Sequence, residues 1–158
     1  MIRIQTSIVV DAPIEAVFDL ARDIDVHTRT VWKHTKERAV GGRTGGKIEL
    51  GETVTFQATH LGVRQQLTSE IVEFVRPHRF VDRMVRGAFK RMTHEHDFEP
   101  LGAKTLMTDT LTFEAPFGPI GRLVERFVLR RYMLRFLEDR NKELKKIAER
   151  QVSEGGST

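Results

Sequence analysis

The chain has 158 residues, a formal net charge of +4 and no cysteine. The length suits one domain with a sizeable core, and the lack of cysteine excludes disulfide bonds and thiolate chemistry. No apolar run reaches the ~18 residues needed to cross a bilayer, and the first residues do not resemble a signal peptide. We therefore expect a cytoplasmic protein without integral membrane association.

The first third predicts one strand and two short helical stretches. Ile2 to Val10 alternates and ends in two β-branched residues, which is typical of a strand. Pro13 then suits the first turn of a short helix that runs to about Arg22, with Asp11 or Ala12 as its cap. A second helical stretch, at about residues 25–36, contains the only tryptophan, Trp32.

Residues 41–46 contain four glycines and predict a flexible turn. The segment lacks the following Lys-Ser/Thr pair and the helix start of a phosphate-binding loop, so phosphate binding there is disfavoured.

The middle of the chain predicts five strands separated by short turns. Alternating apolar and polar residues, turn residues and β-branched residues place them at 52–60, 64–75, 80–85, 89–98 and 104–115. Strands joined by short turns pair with their sequence neighbours. With the first strand, these segments predict an antiparallel sheet of about six strands.

A long helix is predicted from Pro119 to Arg150. Its apolar residues form two faces, one with Leu123, Phe127, Leu134, Leu137 and Leu144, and another with Leu129, Tyr132, Met133 and Phe136. A helix this apolar near its middle should be covered on more than one side. We expect one α+β domain over residues 1–150, a curved sheet wrapped around this helix, and a flexible tail over 151–158.

Basic residues on this helix account for much of the positive charge. They alternate with acidic residues, including Glu125, Glu138 and Glu143. This mixture favours a solvated helix face over a nucleic-acid or anionic-membrane surface. We expect no nucleic-acid partner.

Several segments spread along the chain share a pattern with a known group of proteins. They are residues 13–18, 80–82, 87–89, 94–98, 107–109 and 116–121. With these segments the chain resembles, over essentially its whole length, the START-like helix-grip (SRPBCC) superfamily, in the group of polyketide cyclases/dehydrases and lipid-transport proteins. The resemblance implies a helix-grip fold with a cavity between the sheet and the long helix. Superfamily members bind lipids, sterols or aromatic polyketides there, and only some catalyse a reaction.

Strand alternation places four ionisable side chains on one face of the predicted sheet. A turn near Ala88 sets Asp82 opposite His94, and the next turn sets His96 opposite Asp109. Directly opposed side chains lie about 4.5–5.5 Å apart at Cβ, close enough for hydrogen bonds. This cluster can be a structural polar group, the polar end of a ligand pocket, or a catalytic His–Asp base.

A metal site is an alternative use of the same residues. His94 and His96 point the same way on a strand, and His60, Asp82 or Asp109 could supply a third ligand. The spacing is common by chance, so we predict neither a metal nor a cofactor.

The sequence favours a binding or carrier protein for a hydrophobic, lipid-like or aromatic small molecule. Its predicted ligand-binding residues are Trp32, Phe56, Leu67, Asp82, Met84, Met92, His94, His96, Asp109, Leu111, Phe127, Arg131 and Leu134. The alternative is an enzyme of the aromatase/cyclase or dehydratase type, with His94, His96, Asp82 and Asp109 as its catalytic residues. A third possibility is an interaction protein that uses Leu129, Tyr132, Met133 and Phe136 as an outward stripe to form a homodimer or dock on a partner.

Overall fold

The computed structural model describes residues 1–156. Seven antiparallel strands form one curved sheet in the order β1-β7-β6-β5-β4-β3-β2, which grips a 38-residue C-terminal helical segment. The strands are β1 Ile2–Val10, β2 Arg38–Gly42, β3 Thr53–His60, β4 Val63–Val75, β5 Arg79–Arg86, β6 Arg91–Leu101 and β7 Lys104–Glu114. The helices are α1 Ile14–Ala21, α2 Ile24–Thr30, a 3₁₀ turn Lys33–Thr35, α3 Gly118–Val124, a π-helical segment Glu125–Leu129 and α4 Arg130–Gly155. The predicted α+β helix-grip fold is confirmed.

Most of the core lies between α1, α2, α4 and the inner face of the sheet. Phe18 on α1 is fully buried and makes edge-on contacts with Phe74, Phe80 and Phe98. A second apolar cluster, centred on Phe113 and Leu137, packs the other end of the sheet against α4. The two clusters fix both ends of the sheet on the helices, because apolar side chains fill the space there.

Strand β2 is absent from the sequence prediction, which assigned its glycines to a turn. Gly41 and Gly42 pair with Thr55 and Val54 at the free edge of the sheet, after a bulge that follows Ala39. Gly42 has φ of +65°, and a Cβ there would lie 2.2 Å from the Thr53 carbonyl oxygen. Glycine therefore permits this edge pairing, although the same residue type usually weakens a strand.

The short helices differ from the predicted ones at their ends. Pro13 is the N-cap of α1 and lies before the first turn, so neither Asp11 nor Ala12 caps this helix. Asp23 caps α2 by accepting hydrogen bonds from the amides of Asp25 and Val26 at 2.9 and 3.1 Å. The predicted stretch of residues 25–36 is broken after Thr30, so that the 3₁₀ turn is separate.

The buried face of the C-terminal helical segment departs from regular α-helical spacing, because a π-helical segment interrupts the helix. The extra residue in a π turn rotates the side chains that follow relative to those before it. Leu123 and Phe127 are consequently 60% and 68% exposed, whereas Gly121 and Glu125 face inward. The prediction that Leu123 and Phe127 share the inner face with Leu137 and Leu144 is wrong for this reason.

Helix α4 continues beyond the predicted end at Arg150 and stops at Gly155. Residues 151–155 of the predicted flexible tail are thus helical and exposed, and residues 157 and 158 lie outside the described part of the chain. Within residues 1–156, no helix combines the length and apolar character that crossing a membrane requires.

We predict that Gly121→Ala destabilises the protein by about 1–3 kcal/mol, the usual cost of overpacking a buried site. A Cβ at Gly121 would lie 2.0 Å from the Pro116 carbonyl oxygen, so the start of the helix would have to move. Chemical denaturation measures the free energy of unfolding. The matched control is Gly155→Ala, where a Cβ meets nothing within 4 Å and helix propensity improves. Equal effects of the two substitutions would contradict the close approach.

Candidate functional site

A cavity of about 200 Å³ lies between the inner face of the sheet and α4. A single buried water molecule needs only ~10–15 Å³ of such space. The space is therefore far larger than a packing defect. Apolar lining side chains include Ile24, Ile48, Val54, Phe56, Ala58, Leu67, Ile71, Phe80, Phe89, Met92, Leu111, Leu129, Met133, Phe136 and Leu137.

One polar cluster on the cavity wall joins strands β5, β6 and β7. The predicted register is confirmed, since Asp82 opposes His94 and His96 opposes Asp109. The side chains nevertheless form one network instead of two separate pairs. Asp109 Oδ1 lies 3.0 Å from His94 Nε2 and 2.6 Å from His96 Nδ1, while Asp82 Oδ2 lies 3.1 Å from His96 Nε2.

Asp109 connects this cluster to the helix. Its second oxygen accepts a hydrogen bond from Asn141 Nδ2 at 2.5 Å, and the carboxylate is 1% exposed. A buried carboxylate is costly unless donors surround it. The two imidazoles and the Asn141 amide provide such donors, so the same contacts that satisfy Asp109 also fix α4 against the sheet.

The charges of the cluster follow from burial and from these contacts. Burial alone would raise the pKa of Asp109, but His96 and His94 hold it well below its ordinary value. Burial alone would lower the pKa of His96, yet the carboxylates of Asp109 and Asp82 raise it. Burial and the neighbouring His96 lower the pKa of His94. These shifts favour the charged form of His96, which lies between two carboxylates, and the neutral form of His94.

Three members of the cluster lie close enough together to share a metal ion. One ligating atom from each of Asp82, His94 and His96 lies within 4.8 Å of the other two. Imidazole nitrogen and carboxylate oxygen together suit several divalent first-row ions. His60, which the sequence offered as a possible third ligand, belongs to a different part of the cavity.

A second polar cluster, which sequence reasoning missed, lies at the part of the cavity near α2 and β3. The buried Glu37 carboxylate lies 2.7 Å from His27 Nε2 and 3.9 Å from His60 Nε2. His60 Nδ1 lies 2.8 Å from the Tyr132 hydroxyl. Burial raises the pKa of Glu37, but His27 and His60 outweigh this effect and lower it. Burial lowers the pKa of His60, which favours its neutral form.

Arg140 also lines the cavity and is 3% exposed. Its Nε is buried without a hydrogen-bond partner in the described chain. The sequence alone could have predicted that Arg140 faces the core. Helical periodicity places Arg140 and Asn141 on the same face as Leu137 and Leu144. An arginine and an asparagine therefore stand in what is otherwise the apolar stripe of α4.

The predicted site residues fall into three groups. Those that line the cavity are Phe56, Leu67, Asp82, Met92, His94, His96 and Leu111. Those that lie behind its wall are Met84, Asp109 and Leu134, of which Met84 and Leu134 pack on the second apolar cluster. Trp32, Phe127 and Arg131 instead line a separate outer groove with His34, Leu61, Val128, Tyr132, Arg135 and Asp139.

Two predicted arrangements on the long helix are therefore wrong. Phe127 does not line the inner cavity, because the π-helical segment turns it outward. Leu129, Tyr132, Met133 and Phe136 do not form an outward stripe, since all four line the cavity.

We predict that Asp109→Asn lowers the free energy of unfolding by about 2–4 kcal/mol. The amide cannot accept from two imidazoles and Asn141 while compensating the charge of His96. The matched control is Asp97→Asn on strand β6, whose ion pair with Arg79 is partly exposed and which we expect to cost at most about 1 kcal/mol. An Asp109→Asn variant as stable as this control would contradict the account of the cluster.

Solved structures share this fold at low sequence identity. The Thermus thermophilus protein TTHA0849 is 21% identical, with a TM-score of 0.72 over 92% of this chain and 95% of that one. A START superfamily protein from Mycobacterium smegmatis is 15% identical, with a TM-score of 0.67 over 94% and 98%. Ginseng major latex-like protein 151 from Panax ginseng is 14% identical, with a TM-score of 0.63 over 92% and 96%. These likenesses establish the fold alone.

No curated protein matches the chain significantly in sequence. The family model for polyketide cyclase/dehydrase and lipid transport matches residues 1–149, which is nearly the whole chain. The curved sheet, the long helix and the two short helices after β1 agree with that match. The chain therefore belongs to the polyketide cyclase/dehydrase and lipid transport family.

Proposed function

We propose that the protein binds or carries a hydrophobic small molecule in the cavity between the sheet and α4. The observation that carries this proposal is a cavity whose wall is mostly apolar and whose few polar groups converge at defined places. Such walls are typical of small-molecule sites, where apolar contacts supply affinity and a few polar groups fix orientation.

A route for the ligand supports the proposal. Leu61 and Tyr132 line both the cavity and the outer groove, so these two side chains lie between the two spaces. Leu61 lies in the short β3–β4 turn, is 55% exposed and has φ of +50°. Side chains in such exposed turns move more freely than those in the core. We infer that ligands enter between this turn and α4.

Filling the cavity tests the proposal. We expect Ala58→Phe to reduce binding of the neutral fluorophore N-phenyl-1-naphthylamine at least about tenfold, because the added ring occupies the space the ligand needs. Ala58 is buried and lines the cavity. Fluorescence titration measures the affinity. The matched control is Thr59→Phe, which adds the same ring on the opposite face of β3.

Wild-type protein that leaves the fluorescence of N-phenyl-1-naphthylamine unchanged, and shows no thermal shift with lipids or aromatic polyketides, would contradict a binding role. Equal loss in the Ala58→Phe and Thr59→Phe variants would place the binding elsewhere.

A second candidate is an enzyme of the cyclase or dehydratase type. The observation that favours it is the orientation of His94, whose Nε2 donates to Asp109 while its Nδ1 lies 3.8 Å from Asp82, beyond hydrogen-bond distance. His94 therefore offers an unpaired nitrogen on the cavity wall, and Asp109 fixes its tautomer. Such a group could remove a proton next to the carbonyl of a bound ketone.

Proton exchange tests this candidate without knowledge of the natural substrate. If His94 acts as a base, the protein should accelerate exchange of the methyl protons of 2-acetonaphthone with D₂O, measured by NMR. His94→Gln should lower that rate by about 10²-fold or more, while His34→Gln, in the outer groove, should not. Parallel titration with N-phenyl-1-naphthylamine separates loss of the base from loss of binding. Exchange no faster than in buffer would exclude this role for His94.

A further inference from the structure

The guanidinium of Arg140 is the most unusual group on the cavity wall. Burial of a charge costs several kcal/mol unless a partner and hydrogen bonds compensate it. Arg140 is 3% exposed, and its Nε has no hydrogen-bond partner in the described chain. Among residues 1–156, Arg140 forms no ion pair within 4.0 Å, although its charge acts on one acidic neighbour.

Glu37 is that neighbour, but it is engaged elsewhere. Its carboxylate lies 2.7 Å from His27 and 3.9 Å from His60, and it influences Arg140 only through longer-range attraction. Glu37 thus lowers the electrostatic cost of Arg140 without occupying its donors. An arginine has five N–H donors in a planar fork, and Arg140 lines a space large enough for a ligand.

We propose that the natural ligand is a hydrophobic acid whose carboxylate binds Arg140 while its apolar body fills the rest of the cavity. This inference rests on the proposed binding function and names the ligand class for that site. The planar guanidinium matches a carboxylate in a two-bond arrangement. A single arginine next to Glu37 suits a singly charged group better than a phosphate, whose second charge would lack a donor.

The polar groups around Arg140 support this orientation. His60 and Tyr132 lie 2.8 Å apart on the cavity wall, and His60 lies 3.9 Å from the Glu37 carboxylate that attracts Arg140. The His–Asp cluster contains the carboxylates of Asp82 and Asp109, which would repel an acid. We therefore expect the carboxylate of a bound acid at Arg140 and not at the His–Asp cluster.

Two matched ligand pairs test the proposal. The pairs are dodecanoate with 1-dodecanol, and 2-naphthylacetate with 2-(2-naphthyl)ethanol, each measured by displacement of N-phenyl-1-naphthylamine at pH 7.5. We expect wild-type protein to bind each acid at least about tenfold more tightly than its alcohol, since hydrogen bonds to charged groups are the stronger ones.

Variants of Arg140 test whether this residue causes the preference. Arg140→Met should remove the preference by weakening the binding of the acids, and Arg140→Lys should keep part of it. Arg150→Met, on an exposed position of the same helix, should leave the preference unchanged.

Melting temperature gives an independent readout. If Arg140 serves to bind a ligand, the ligand-free Arg140→Met variant should have a melting temperature equal to or higher than that of the ligand-free wild type. The reason is that the substitution removes an incompletely paired buried charge. Melting many degrees lower would instead identify Arg140 as a structural partner of Glu37 and overturn the proposal. Equal affinity for acids and alcohols in the wild type, or a preference that survives in Arg140→Met, would also overturn it while leaving the binding function intact. Failure of all four compounds and of the fluorophore to bind would reject the binding function itself.

Discussion

The hydrogen bonds to the buried Asp109 carboxylate set the distance between the sheet and the long helix. Asp109 lies on strand β7, accepts from two histidines of β6 and from Asn141 of α4, and is almost fully buried. Each of these contacts is short, so the helix cannot move toward or away from the sheet at this point without leaving a buried charge unpaired. Apolar packing at both ends of the sheet completes the attachment of α4.

A helix fixed in this way does not fill the concave face of the sheet. The space between the sheet and α4 is the cavity, and different polar groups line different parts of its wall. The His–Asp cluster provides carboxylates and imidazoles at one part, whereas Arg140, His60 and Tyr132 provide donors at another. The apolar side chains that line the rest of the cavity accommodate a hydrophobic body. This distribution of charge is the physical basis for proposing a ligand with one acidic end.

The sequence predicts the sheet better than it predicts the helix. Strict alternation and short turns determine which side chains of β3 to β7 share a face, and the opposition of His96 and Asp109 follows from the turn near Gly102. The π-helical segment has no comparable signal, because helical periodicity assumes a constant rotation per residue. Faces assigned to Leu123 and Phe127 were wrong as a result, whereas Leu137 and Leu144, after the segment, are buried as predicted.

The second polar cluster was missed for another reason. Glu37, His60 and Arg140 are far apart in the sequence, and only the tertiary fold brings them near one another. Of these three residues, only Arg140 could have been noticed from the local sequence, because it is a charged residue at a helix position where the periodicity predicts an apolar one. The sequence did not predict strand β2, because glycines such as Gly41 and Gly42 favour turns. Glycine is required at these positions because strand β3 approaches the backbone closely.

Native mass spectrometry of the protein, purified without detergent or organic solvent, tests most directly whether the interior holds a ligand. We expect a mass increase that corresponds to one ligand per polypeptide. Denaturing conditions should release this ligand, and negative-ion mass spectrometry should detect it as a small acid. Bare polypeptide in every charge state, both as purified and after incubation with dodecanoate, would contradict the account.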